Sequence, residues 1–154
     1  MKRKLLIILG LLVVAIGLVT FAYLKPKPIN KEFASVIYSF EEGFEQKTSI
    51  TLKGKLHRDP FGGDLILGEI TVDKDLKYHI KLRDNRTHFF YPLMETNGAN
   101  LRTIGTVYVS RDIKDIWLKL DAIDERYRID GYVFGPASTR EEANKLIKEK
   151  ILRA

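Results

Sequence analysis

The chain opens on one unbroken apolar block and then changes rhythm. Leu5 to Leu24 is a run of 20 residues without a charge, 14 of them Leu, Ile, Val or Phe. As a helix rising 1.5 Å per residue it spans roughly 30 Å, the thickness of a bilayer's hydrocarbon core. Gly10 and Gly17 are tolerated there because a helix satisfies its own backbone in lipid, and Tyr23 stands where an interfacial aromatic belongs. Lys25-Pro26-Lys27-Pro28 stops the helix and begins an extended linker. The pattern therefore predicts a membrane span with its ends at Leu5 and Leu24, in a first segment of residues 1–28.

A cleaved signal peptide is the competing reading. Its apolar region is usually about 7–15 residues long and ends in a small-x-small site. Ala15-Ile16-Gly17 and Thr20-Phe21-Ala22 supply such triplets, but the length of the run favours a retained anchor. Lys2, Arg3 and Lys4 precede the span, while Lys25 and Lys27 follow it. By that excess of one charge the N-terminus stays cytoplasmic and the C-terminal domain lies outside a single-pass anchor, or is secreted if the segment is removed.

Residues 29–154 form the second segment, long enough to bury about two-thirds of its unfolded surface around its own core. Asn30 is placed to cap a helix over Lys31–Glu45, since Phe33, Val36, Ile37, Phe40 and Phe44 recur on one helical face. A strand over Ser35–Phe40 is the rival, and the periodicity favours the helix. The period then becomes two. Ile50, Leu52, Gly54 and Leu56 alternate with polar residues, as do Leu76, Tyr78, Ile80 and Leu82, so both stretches are strands with one buried face. Between them Leu65 and Leu67 share one parity and Ile70 and Val72 the other, which predicts a bulge or bend at Gly68.

Further strands are expected at His88–Leu93, Leu101–Ser110, Ile116–Leu120 and Tyr127–Phe134, separated by turn-forming residues such as Asn97-Gly98. Ser138-Thr139-Arg140-Glu141 reads as a capping box with Ser138 as the cap, opening a last helix whose stripe is Ala143, Leu146, Ile147 and Ile151. The expected fold class is α+β: an N-terminal transmembrane helix, then an antiparallel β-meander of six to seven strands with a flanking helix at each end of the domain. A barrel and an open sheet fit this pattern equally.

Composition changes the picture in two places. The formal charge is +6, from 26 Lys+Arg and 20 Asp+Glu. Five of those cations and no anion lie in residues 1–28, so the remainder carries 21 cations against 20 anions. A nucleic-acid binder needs its basic stripe on the folded domain, so nucleic acid is not an expected partner. The absence of cysteine excludes a disulfide framework, a thiolate zinc site and a Cys nucleophile.

Candidate chemistry is sparse. His57, His79 and His88 form no metal-binding spacing, and the five serines sit in no hydrolase motif. No nucleotide-binding glycine motif occurs, and Asp73-Lys74-Asp75 lacks the pattern of a calcium loop. No catalytic residue, cofactor or metal is assigned. Phe61-Gly62-Gly63-Asp64 reads as a tight turn. Phe89 and Phe90 point to opposite faces of their strand, and Trp117 alternates with Ile116, Leu118 and Leu120, so one Phe and the Trp face outward. Phe61, Phe90 and Trp117 are the candidate partner contacts.

The expected function is a membrane-anchored, non-catalytic extracytoplasmic binding or accessory module. Its partners would be the lipid bilayer, through the helix, and another membrane or envelope protein. The alternatives are a small Asp/Glu/His-dependent hydrolase at the membrane surface, which needs a concave pocket gathering His57 or His88 with Glu69 or Asp73, and a structural subunit assembling through its transmembrane helix.

Overall fold

The alternating strands become the wall of a closed barrel. A computed structural model describes residues 2–40, 43–98 and 100–150. Helix α1 spans Lys2–Leu24. Eight strands follow: β1 Lys27–Ser39, β2 Glu45–His57, β3 Leu65–Val72, β4 Leu76–Asp84, β5 His88–Asn97, β6 Asn100–Ser110, β7 Ile116–Leu120 and β8 Gly131–Gly135. Helix α2, Asp121–Tyr127, lies between β7 and β8, and α3, Arg140–Lys150, closes the order. Each strand pairs antiparallel with its chain neighbour, and β8 returns to β1 through Val36↔Phe134 to Ser39↔Gly131. The architecture is thus more than a meander, and it has eight strands where six or seven were expected. Closure gives the two outermost strands each other as partners and leaves the sheet without an edge.

Eight strands enclose a space that side chains just fill. Ile50 and Leu52 of β2, Ile66 and Ile70 of β3, Leu82 of β4 and Val107 of β6 are wholly buried in it, with residues of the other strands. The ladder between β4 and β5 is short, comprising Arg83↔Phe90 and Asp84↔Phe89 at the end of the barrel from which α1 leaves.

Three sequence expectations are corrected here. The helix over Lys31–Glu45 is absent: Lys31 to Ser39 belong to β1 and Glu45 begins β2. Ser35 to Ser39 are buried in unbroken succession. Ile37 joins the barrel core, while Val36 and Tyr38 face outward beneath α3. A strand buried on both faces has no period of two, and its run of apolar residues imitates a helical stripe. The extended stretch also starts early, since Lys27 and Pro28 already pair with Leu56 and Lys55.

At Gly68 there is no bulge. Register runs unbroken from Leu65↔His57 to Val72↔Ile50, and Ile66, Gly68, Ile70 and Val72 keep one inward parity. Gly68 stands opposite Gly54, and a Cβ on either would lie 2.9 Å or less from the other's Cα. The paired glycines let two backbones approach inside the barrel, and Leu65 and Leu67 are outward residues. The irregularity in the sheet lies instead between Leu93 and Met94.

The strand expected at Tyr127–Phe134 is partly helix. Leu120 leaves β7 directly into α2, which places Ile123 fully in the core and stacks Tyr127 on Phe44 at 5.4 Å. Ion pairs hold this helix over the far end of the barrel. Arg126 bridges Asp73 and Asp75 of the β3–β4 turn, Arg102 of β6 reaches Asp121, and Lys119 of β7 reaches Asp124 and Asp130. Burial alone would lower the Lys119 pKa, and the hydrogen bonds its ammonium donates to the Asp124 and Asp130 carboxylates outweigh it and raise it.

Helix α3 lies on the outer wall of β1 and β8, burying Ala143 and Ile147 against Val36, Tyr38 and Phe134. Its cap is one residue later than the sequence suggested. The Glu142 N–H donates to Thr139 Oγ1 at 3.2 Å, and the Ser138 N–H donates to the Glu142 carboxylate at 2.8 Å. Thr139 is the N-cap, and Ile151 lies outside the described residues.

Helix α1 is apolar on every side. Its window Ile7–Leu24 has a mean hydropathy of 2.7 and none of it is buried against the rest of the chain. Length and composition suffice to cross a membrane, a property that signal sequences and anchors share.

Candidate functional site

Outward positions of four adjacent strands, and one residue just beyond a fifth, carry a ribbon of aromatic rings. Phe90 of β5 stands opposite Tyr108 of β6, and Tyr108 opposite Trp117 of β7. Ring centroids are 4.9 Å apart for Phe90–Tyr108, 5.0 Å for Tyr108–Trp117 and 5.5 Å for Trp117–Tyr132, the last pair nearly parallel at 16°. Tyr132 of β8 continues to Phe40 at 4.9 Å, just beyond β1. Such spacings lie within the range where aromatic pairs gain beyond the area they bury.

The ribbon packs against the cluster beneath α3 at β1 and β8 and reaches solvent at both ends, Phe40 being 43% exposed. Tyr38 and Phe134 are fully buried under α3, and Trp117 and Tyr132 pack against that cluster. The Trp117 Nε1–H donates to the Tyr38 hydroxyl at 3.3 Å, which fixes the indole. Burial pushes the Tyr38 phenol far above its ordinary value, with the Trp117 hydrogen bond opposing, so it stays neutral. The Lys119 ammonium lies 4.8 Å over the Tyr132 ring. Toward β5, Tyr108 and Phe90 are partly buried like Trp117 and Tyr132, as is His88, whose ring lies 5.0 Å from Tyr108.

The structure therefore brings Phe90 and Trp117 together on one wall, joined by Tyr108. Tyr108 was missed in the sequence, although its alternation with Val107 and Val109 carries the same outward signal. Phe61 is elsewhere, in the β2–β3 loop at the α1 end, and is 99% exposed.

The residues considered for chemistry are occupied or apart. Both ring nitrogens of His88 are engaged, Nδ1 with Thr87 Oγ1 at 2.8 Å and Nε2 with the Asn85 side chain at 2.9 Å. Partial burial lowers the His88 pKa against the pull of Asp84, so the ring is neutral near pH 7. Ser110 Oγ donates to Asp112 at 2.7 Å and accepts the N–H groups of Lys114 and Asp115, which makes it a loop brace. Its hydrogen bond holds the Asp112 carboxyl down at about 2. His57 ends β2 beside Leu65, whereas Asp73 follows the opposite end of β3. His57 instead borders an open groove with Asp59, Asp64, Lys81, Arg83 and Asp84. Asp73 and Asp75 are claimed by Arg126. Among the described residues no group of three His, Cys, Asp or Glu side chains is placed to hold a metal ion.

Comparison with protein-family models, curated proteins and solved structures gives no match.

Proposed function

We propose that the chain is a membrane-anchored, non-catalytic extracytoplasmic module, with the N-terminus of α1 inside, the barrel outside, and another membrane or envelope protein as partner. Helix α1 inserts in the bilayer and the barrel sits at its surface. The β5–β6 part of the aromatic ribbon, Phe90 and Tyr108 beside the fixed Trp117, is the docking face. The observation that supports this reading is the row of adjacent, partly exposed rings on a rigid wall that α3 already uses for packing at β1 and β8. Aromatic anchors on a preorganised surface are the residues that dominate protein interfaces.

The experiment uses the full-length chain with Phe90→Ser and Tyr108→Ser substitutions, crosslinked in its native membranes and purified in detergent beside wild type. A band that crosslinks to wild type and loses roughly tenfold in yield with either variant supports the docking face, as expected for a lost anchor of at least about 1.4 kcal/mol. Equal crosslinking by all three proteins removes the aromatic ribbon from the interface. Resistance of α1 to alkaline extraction from the same membranes tests the anchor separately.

A further inference from the structure

The β2–β3 loop presents a fully exposed phenylalanine at the end of the barrel from which α1 departs. Two residues separate Leu24, the last of α1, from Lys27, the first of β1, and Lys27 is in register with Leu56 near the end of β2. The loop therefore begins beside the point where the chain leaves the helix. A side-chain contact confirms the proximity, with the Arg58 guanidinium 5.0 Å over the ring of Tyr23 in the last turn of α1.

The loop is built to hold Phe61 outward. The Phe61 N–H donates to Asp59 Oδ1 at 2.9 Å, and the Asp59 N–H donates to Asp64 Oδ1 at 3.3 Å. Gly63 has φ +85°, and a Cβ on Gly62 would meet the Asp59 carboxylate at 2.5 Å. The Asp84 N–H donates to the Asp64 carbonyl at 3.0 Å, tying the loop to the end of β4. Water is the costliest surrounding for a bare phenyl ring, and no packing within the chain accounts for this one, at 99% exposure.

We infer that Phe61 is an interfacial wedge: its ring enters the headgroup region of the bilayer that holds α1 and fixes the tilt of the barrel on the membrane. This rests on the reading of α1 as an anchor. Tyr23 marks the depth of the interface, and Arg58 beside it brings the loop to that depth. The driving force is apolar. The same end of the barrel also carries cations, Lys27, Lys55, Arg58, Lys81, Arg83 and Arg86 among them, but a zwitterionic membrane offers them no net opposing charge. Insertion is accordingly expected in zwitterionic membranes and is insensitive to salt.

The test is a Phe61→Trp substitution in the full chain, reconstituted in phosphatidylcholine vesicles with and without bromine on the upper acyl chain. The native chain has one tryptophan, Trp117, and serves as the reference. The substitution is at an exposed loop tip and leaves the fold intact. Co-flotation with vesicles, blue-shifted emission at position 61 and loss of about half of that added emission to the brominated lipid, in high and low salt alike, are the expected results. Co-flotation with solvated, unquenched emission overturns the wedge and leaves the anchor standing; a protein partner would then be the occupant. Failure to float with the vesicles overturns both.

Discussion

Asp73 shows how much a single side chain can carry in this molecule. It sits at φ +49°, accepts Thr48 Oγ1 at 3.0 Å, Arg126 Nη1 at 2.7 Å and the Tyr127 hydroxyl at 2.8 Å, and so joins β2, the β3–β4 turn and α2. Asp73→Ala leaves Thr48 and Tyr127 without this acceptor and Arg126 with Asp75 alone, and puts Ala in the left-handed region, so a loss of about 2–3 kcal/mol is expected in urea unfolding. Asp73→Asn, which tolerates that backbone, is expected to lose less. His88 makes a pH-dependent contribution. Its folded pKa lies below the unfolded value of about 6.5, so the unfolded chain takes up protons first as pH falls. Stability from this group is complete above about pH 6.5 and is lost as pH drops from there through the lower folded value. Urea midpoints measured from about pH 7.5 down to about pH 5 are expected to fall less steeply in His88→Gln than in wild type. At the paired glycines, Gly68→Ala drives a methyl into the Lys53 carbonyl oxygen and is expected to cost about 3 kcal/mol or more.

At the scale of elements, the helices were legible in proportion to their dependence on local signals. Helix α3 has its acidic first turn, its Thr cap and a narrow apolar stripe, and a last helix opening at the Ser138–Glu141 capping box is legible in the sequence with the cap one residue out. Thr139→Ala is expected to destabilise by about 1 kcal/mol, seen as a lower thermal midpoint with the aromatic ribbon less protected. Helix α2 was missed because it has seven residues, too few for periodicity, and Leu120 provides no side-chain cap. Its stability comes from Ile123 in the core and from ion pairs to residues distant in sequence, Asp73 and Asp75 among them. Strand β1 was mistaken for a helix because α3 covers its outer face, a fact that the 13 residues of the strand do not contain.

Over the whole molecule, closure distributes stability unevenly around the barrel. β2 and β3 share eight register pairs, whereas β4 and β5 share two. The β4–β5 seam is expected to open first. In hydrogen exchange, amides of Lys77 to Ile80 facing that seam should exchange at least about tenfold faster than those of Leu52 to Leu56, through local opening that leaves the rest folded. Equal protection around the barrel would show that the short ladder is no weak point.

What the sequence determined by itself follows from short-range physics. An uninterrupted apolar run sets a helix of membrane length, and alternation sets β2, β4, β6 and β7 and the outward direction of Phe90 and Trp117, because side-chain direction in a strand depends only on parity. The tertiary structure decided what parity cannot carry. Return of β8 to β1 turned a meander into a barrel, α3 buried a second face of β1, and the register of β2 with β3 brought Gly54 against Gly68. It also placed Tyr108 between Phe90 and Trp117, and set the Phe61 loop beside the end of α1. Each of these joins residues far apart in the chain, and their energies exist only once the wall has closed.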